Sequence, residues 1–206
     1  MDFLCRLPHF YTLSAFWALE AASERRHEYL DGSVVVTEPD ALSHNLLKGN
    51  LVDALRRVVR PWGGQVFSTS IQLEAQANRC YLYPDIIVTS DPADRLDPAV
   101  VRYPVFVSEI SSPTTAEYDR TEKGIRYQRI ASLRHYLLIS QVAWTVEWFR
   151  RDEAGQWIYT LLTGPAATLE IPDMGLVLPL RELYEDTDVA PLLVMPGAGE
   201  SELGRF

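Results

Sequence analysis

The chain has 206 residues, with 28 acidic against 19 basic side chains, a net charge of −9 and a hydrophobic content of 47%. That length fits one domain and that content suffices for its core, while no apolar run nears the roughly 20 residues of a bilayer span, so no membrane partner is expected. The N-terminus lacks a basic-then-apolar leader pattern, and Cys5 and Cys80 make neither a disulfide framework nor a metal cage; a cytoplasmic protein with two reduced thiols is the expectation.

Thr12–Ala22 reads as a short amphipathic helix with Phe16 and Leu19 on one side, capped by Thr12 or Ser14. His27–Leu30 and Ser33–Thr37 flank Asp31-Gly32, a dipeptide suited to a tight hairpin turn. Ser43–Val59 is the clearest helix. Leu46, Leu47, Asn50, Leu51, Ala54, Leu55 and Val58 form its stripe, Ser43 can cap it and Pro61 ends it. From Gln65 the period becomes two, with Val66, Phe67, Ile71 and Leu73 in strand. Tyr81–Thr89 and Pro104–Ile110 follow as nearly continuous apolar runs, as central strands are. Asp91–Ala99 reads as a loop, and Ser111-Ser112-Pro113 leads into a helix over 117–131. His135–Ser140, Trp144–Arg150 and Trp157–Leu162 are further strands. The sum is one α/β domain over 1–189, a mixed sheet flanked by helices, with a flexible proline- and glycine-rich tail over 190–206.

Charge is unevenly placed. From Asp152 onward there are ten acidic and two basic residues, whereas the first 151 residues are nearly neutral, so a phosphate-binding face is permitted there. Only two of the basic residues are lysine, Lys48 and Lys123. A lysine in so arginine-biased a chain invites attention, because its ammonium is a compact charge whose pKa can move and a guanidinium's cannot.

Two apolar strands carry an acid: Asp85 in Tyr83-Pro84-Asp85-Ile86 and Glu109 in Val107-Ser108-Glu109-Ile110. A buried carboxylate needs a cation or hydrogen-bond donors. Either acid alone reads as a half-exposed strand position or a structural ion pair; both on neighbouring strands point to a shared cation. Asp119, Lys123 and Tyr127 stand at i, i+4 and i+8 on the next helix, hence on one face. By itself the Asp119–Lys123 pair is an ordinary helix pair worth about 0.2–0.5 kcal/mol.

Glu28-Tyr29-Leu30-Asp31-Gly32, Ser43-His44, Tyr83-Pro84-Asp85-Ile86, Ser108-Glu109-Ile110-Ser111-Ser112-Pro113-Thr114-Thr115 and Asp119-Arg120-x-x-Lys123-x-x-x-Tyr127 together resemble, in order, the Uma-type family of putative restriction endonucleases. That family shares the PD-(D/E)XK nuclease fold, and the resemblance runs over residues 10–185. It implies a restriction-endonuclease-like α/β domain in which Asp85 and Glu109, with the main-chain carbonyl of Ile110, hold Mg (or Mn). Lys123 replaces the lysine that such sites usually carry two positions after the second acid, where Ser111 stands here. Glu28 is the implied acid of the first structural unit, and His44, Asp119 and Tyr127 are implied supporting residues. An oxygen-only donor set suits magnesium, which keeps several waters and takes few carboxylates.

The implied activity is metal-dependent endonucleolytic hydrolysis of DNA, with a homodimer favoured for double-strand cleavage. The alternative is a catalytically silent nuclease-fold protein acting as a nucleic-acid-binding or regulatory dimer. A two-carboxylate glycosidase leaves Lys123 without a role. His44 also reads as a helix cap or packed histidine, His135 and Tyr136 as core, and Trp144, Trp148 and Trp157 as core or a dimer surface before base-stacking groups.

Overall fold

The apolar stretches pair into two main sheets between which the chain crosses several times, and Asp85 stands at one of these crossings. The computed structural model describes residues 5–37, 41–68 and 70–192. Helix α1 (Leu13–Ala22) is capped by Thr12, whose hydroxyl accepts from the Ala15 N–H at 3.2 Å. β1 (His27–Leu30) and β2 (Ser33–Val36) form the expected hairpin, with Asp31 at φ 51° and Gly32 at φ 97°, the left-handed pair that a two-residue turn of this kind requires. Helix α2 (Leu42–Val59) runs into a 3-10 turn, Arg60–Trp62, that contains Pro61.

The other strands are β3 (Gln65–Phe67), β4 (Gln72–Gln76), β5 (Cys80–Leu82), β6 (Ile86–Thr89), β7 (Val100–Val101), β8 (Phe106–Ser111), β9 (His135–Ser140), β10 (Thr145–Arg151), β11 (Trp157–Thr163), β12 (Thr168–Ile171) and β13 (Leu176–Pro179). One sheet has the order β2-β1-β5-β4-β7 and the other β11-β10-β9-β8-β6-β3; β12 and β13 form a separate hairpin. Within the larger sheet β8 and β9 are parallel and the other pairs antiparallel. Both of its faces are covered. On one side α2 sets Leu47, Leu51 and Leu55 against Ile86, Phe106 and Leu137; on the other Val107, Leu138 and Tyr136 meet Leu73, Leu82 and Ile87. This two-sided burial is why β6 and β8 read as continuous apolar runs.

Four expectations need correction. The Tyr81–Thr89 run is two strands, because Pro84 cannot donate to a ladder and forces extended backbone before it, so the chain turns from one sheet into the other. The helix expected over 117–131 ends at Tyr127, followed by turns. Ser43 does not cap α2; Ala41 occupies the cap position with no side-chain bond. The stripe of α2 is also rotated: Leu46 is 41% exposed, while His44 and Lys48 are buried with Leu47 and Leu51. The expected tail lies almost wholly outside the described residues, and no helix among those described is long and apolar enough to cross a membrane. Cys80 is buried and Cys5 exposed, both free thiols.

The tryptophans of the late strands are packed. Trp144 stacks on Tyr184 with centroids 5.3 Å apart, the Arg151 guanidinium lies over Trp157, and the Trp148 indole N–H donates to His135 Nδ1 at 3.3 Å. Nε2 of His135 lies 3.0 Å from Asp173. Because Nδ1 accepts, the ring is neutral with its proton on Nε2. Burial holds its pKa below the ordinary value of 6.5, assisted by Arg134 and Arg150 and opposed by Asp173. A depressed folded-state pKa gives stability that is complete above the unfolded pKa and lost as pH falls through the folded one. Thermal melts should therefore show a loss of stability on acidification below about pH 6.5, and His135→Gln should flatten that part of the profile.

Candidate active site

Asp85 stands immediately before β6, and the β6–β8 register pairs Ile86 with Ser108. One further step in that register sets Asp85 across from Glu109. The Asp85 charge raises the Glu109 pKa, so the two carboxyl groups repel and the fold must supply compensating charge. It does so from two directions. From α2, His44 Nε2 lies 3.1 Å and Lys48 Nζ 3.2 Å from Asp85 Oδ1, while the Ile110 N–H donates to Oδ2 at 2.8 Å. Burial pushes the Asp85 pKa up, but the His44 hydrogen bond and charge, with Lys48 and the Ile110 amide, bring it below the ordinary carboxylate value.

The second compensating group comes from the helix after β8. Its central stretch, Asp119–Lys123, is π-helical between α-helical turns Ala116–Tyr118 and Gly124–Tyr127. The widened turn is anchored at the Asp119 carbonyl, which accepts from the Gly124 N–H and from the Tyr136 hydroxyl at 2.8 Å. A Cβ on Gly124 would lie 3.2 Å from that carbonyl and 3.4 Å from the Tyr136 ring, so glycine is what lets the three meet. Such π turns recur at functional sites.

Lys123 Nζ then reaches Glu28 Oε1 at 2.9 Å, Glu109 Oε1 at 3.1 Å and Asp119 Oδ1 at 3.7 Å. The Tyr127 hydroxyl donates to Glu109 Oε1 at 2.6 Å, the Tyr118 hydroxyl to Glu28 Oε2 at 3.0 Å, the Tyr83 N–H to Glu28 Oε1 at 2.9 Å and the Ser111 hydroxyl to Asp119 Oδ2 at 3.1 Å. All of Glu28, Glu109, Asp119 and Lys123 are buried.

One ammonium cannot neutralise three carboxylates. Burial lifts the Glu109 pKa well above its ordinary value; Lys123 opposes this, and Asp119, Asp85 and Glu28 add to it. Burial also raises Asp119 against the pull of Lys123. For Lys123, burial works downward but is outweighed by Glu109, Glu28 and Asp119, and its pKa stands well above the ordinary lysine value. Lys123 is therefore a fixed cation rather than a proton acceptor.

Glu28, His44, Asp85, Glu109, Ile110, Asp119 and Lys123 line one cavity of about 320 Å³, together with Tyr83, Tyr118 and Gln141. Tyr127 buttresses Glu109 from outside that lining. In a strand a residue's N–H and C=O face the same edge, so the Ile110 carbonyl points, like its amide, to the side beyond the end of β6; there it accepts from Gln141 Nε2 at 3.1 Å. Among the described residues no three His, Cys, Asp or Glu side chains are arranged to cage a metal alone. The oxygen set of Asp85, Glu109 and the Ile110 carbonyl nevertheless fits a magnesium-type cation, which binds through one or two carboxylates and keeps its waters. Both hydrogen bonds to Glu109, from Lys123 and Tyr127, go to Oε1.

Every residue expected at the site is thus brought together, including Glu28 from the first hairpin. Lys48, Tyr118, Tyr83 and Gln141 were missed. For Lys48 a signal existed: it is one of two lysines and stands at i+4 from His44 on the α2 stripe.

The family described as "Uma2: Putative restriction endonuclease" matches residues 13–181. The chain belongs to the Uma2 family. Two uncharacterized proteins of Synechocystis are similar to it, one 26% identical over 166 residues (80% of this chain, 86% of that one) and one 26% identical over 165 residues (79% and 93%). A crystal structure from Anabaena variabilis, described as a putative nuclease belonging to DUF820, superposes with a TM-score of 0.70 at 20% identity, covering 84% of this chain and 97% of that one. At that identity the likeness shows that the two chains share a fold. Uma2 membership places the chain in a family described as putative restriction endonucleases.

Proposed function

We propose that this Uma2 protein is an endonuclease that hydrolyses DNA phosphodiesters with Mg²⁺ or Mn²⁺ held by Asp85, Glu109 and the Ile110 carbonyl. The observation that carries the reading is the surplus of buried carboxylate around one fixed lysine on a shared cavity. A retired site gains nothing from retaining that repulsion. The bound cation would lower the pKa of water and clamp a phosphate oxygen.

The chain's own residues do the rest. Lys123, permanently charged, stabilises negative charge growing on the phosphate and orients the attacking water by donating to it. Tyr127 fixes the Glu109 rotamer through Oε1, and Glu109 lines the cavity. Lys48, His44 and the Ile110 amide hold Asp85 in one orientation and keep it ionised. Glu28 and Asp119 hold the Lys123 ammonium in place, and Tyr118 and Ser111 hold them in turn.

Supercoiled plasmid incubated with purified protein tests the reading. Nicking is expected with Mg²⁺ or Mn²⁺ and not with EDTA, and is lost in Asp85→Ala. Absence of nicking by the wild type in low salt with Mn²⁺ favours instead a silent nuclease-fold protein that binds nucleic acid as a dimer.

A further inference from the structure

Many arginines of this acidic chain are engaged. Arg6 pairs with Glu122, Arg79 with Asp31, Arg102 with Glu74 and Asp97, Arg120 with Glu147, and Arg134 with Asp173. The C-terminal end of α2 differs. Arg56, Arg57 and Arg60 are all exposed, and among the described residues none has an ion-pair or hydrogen-bond partner. Asp53, one turn earlier, bonds to none of them. Three unpaired guanidiniums within five residues repel one another. The helix dipole offsets only part of this, about 0.3–1 kcal/mol per charge at the last turn.

Beside them Trp62 closes the 3-10 turn and is 39% exposed. Its ring lies against Gly64, where a Cβ would come within 2.8 Å of it, so the backbone fixes a flat aromatic surface next to the arginines. A dipole-complementing helix end has no need of that surface. A nucleic acid strand does: phosphates pair with guanidiniums, and an unpaired base stacks on an aromatic ring.

We propose that Arg56, Arg57, Arg60 and Trp62 form a second contact site for the DNA backbone, remote from the acid pair. This rests on the nuclease reading above and adds to it a length requirement for the substrate. Helix α2 links the two places, since its N-terminal end carries His44 on the cavity. At 1.5 Å per residue, Arg57 lies about 20 Å along the axis from His44. At 3.4 Å per nucleotide this is about six nucleotides. DNA must extend about that far beyond the scissile bond to reach the patch.

The test compares wild type with the triple variant Arg56→Ser/Arg57→Ser/Arg60→Ser, none of whose positions touches the cavity. Two probes are read with Mn²⁺: a labelled 30-base-pair duplex and the small ester bis(p-nitrophenyl) phosphate. The variant should bind the duplex at least about tenfold more weakly at low salt, and its log–log salt slope should fall by up to about 2.7, or 0.9 per lost phosphate contact. Ester hydrolysis should be unchanged, which also establishes that the variant folds. Duplexes extending fewer than about six base pairs either side of the cut should be cleaved equally by both proteins. Trp62→Ala should weaken single-stranded DNA more than duplex. Equal duplex affinity and salt slope in the two proteins, with the ester still hydrolysed, overturn the patch and leave the nuclease reading standing. A wild type that neither hydrolyses the ester nor binds DNA overturns both.

Discussion

Replacing Lys123 by methionine should abolish nicking and also cost the fold about 3–5 kcal/mol at pH 8, the expense of removing one partner from a buried charge cluster. For a chain of this size that is a fall in Tm on the order of 10 °C. The cause is specific. Nζ is shared by Glu28, Glu109 and Asp119, all buried, and without it three carboxylates face one another. Their escape is protonation, and Glu109 is already held well above the ordinary carboxylate pKa by burial and by its acidic neighbours. In the variant that elevation grows. A raised folded-state pKa contributes stability that is present at low pH and is lost as pH rises through it. Lys123→Met should therefore be most destabilised at pH 8 and approach the wild type near pH 5, as read by thermal melts across that range. A uniform loss at all pH values would mean that packing, not charge, is what Lys123 supplies. Lys123→Arg should restore neither activity nor full stability, because a planar guanidinium cannot reach three divergent carboxylates from the place of a single nitrogen.

Much of this arrangement could be read from residue order, and the part that could not has identifiable causes. Asp85 and Glu109 stood out because a carboxylate inside an apolar strand has no cheap explanation. The hairpin at Asp31-Gly32 and the central place of β8 followed from turn chemistry and an unbroken apolar run, whereas the parallel pairing of β8 with β9 did not. What stayed hidden depended on three dimensions. Tyr81–Thr89 has the composition of one strand, and only the sheet change at Pro84 divides it. The π turn leaves no mark in composition, since Asp119, Lys123 and Tyr127 satisfy helical spacing either way. Lys48 drew notice as one of two lysines, but with Leu46 assigned to the buried stripe its place could not be read; the structure buries Lys48 beside Asp85 and exposes Leu46. The β12–β13 hairpin was missed because its strands are four residues each and its turn is a 3-10 segment, Pro172–Met174, rather than a two-residue loop.

Glu109→Gln should separate activity from stability in the opposite sense to Lys123→Met. Nicking should drop by about 1000-fold, the scale of losing an electrostatic anchor in a preorganised site, while the metal-free protein melts at the same temperature or higher. Glutamine keeps the volume and an acceptor oxygen for the Tyr127 hydroxyl, so packing and that hydrogen bond survive. The exchange removes one of the carboxylates that repel one another around Lys123, leaving Glu28 and Asp119 to hold the ammonium. The carboxylate charge that would attract a divalent cation is also reduced. Millimolar Mn²⁺ should therefore raise the wild-type Tm, by linkage of binding to folding, and raise the variant's much less. If Glu109→Gln melts lower than wild type without metal, the carboxylate is a stabilising partner of Lys123 rather than a strained one. If Mn²⁺ stabilises both proteins equally, the cation is held elsewhere and Glu109 is not its ligand. On the proposed reading, the wild type accepts a less stable metal-free state because the repulsion that destabilises it is the charge that would draw in a cation, which in turn would bind the phosphate.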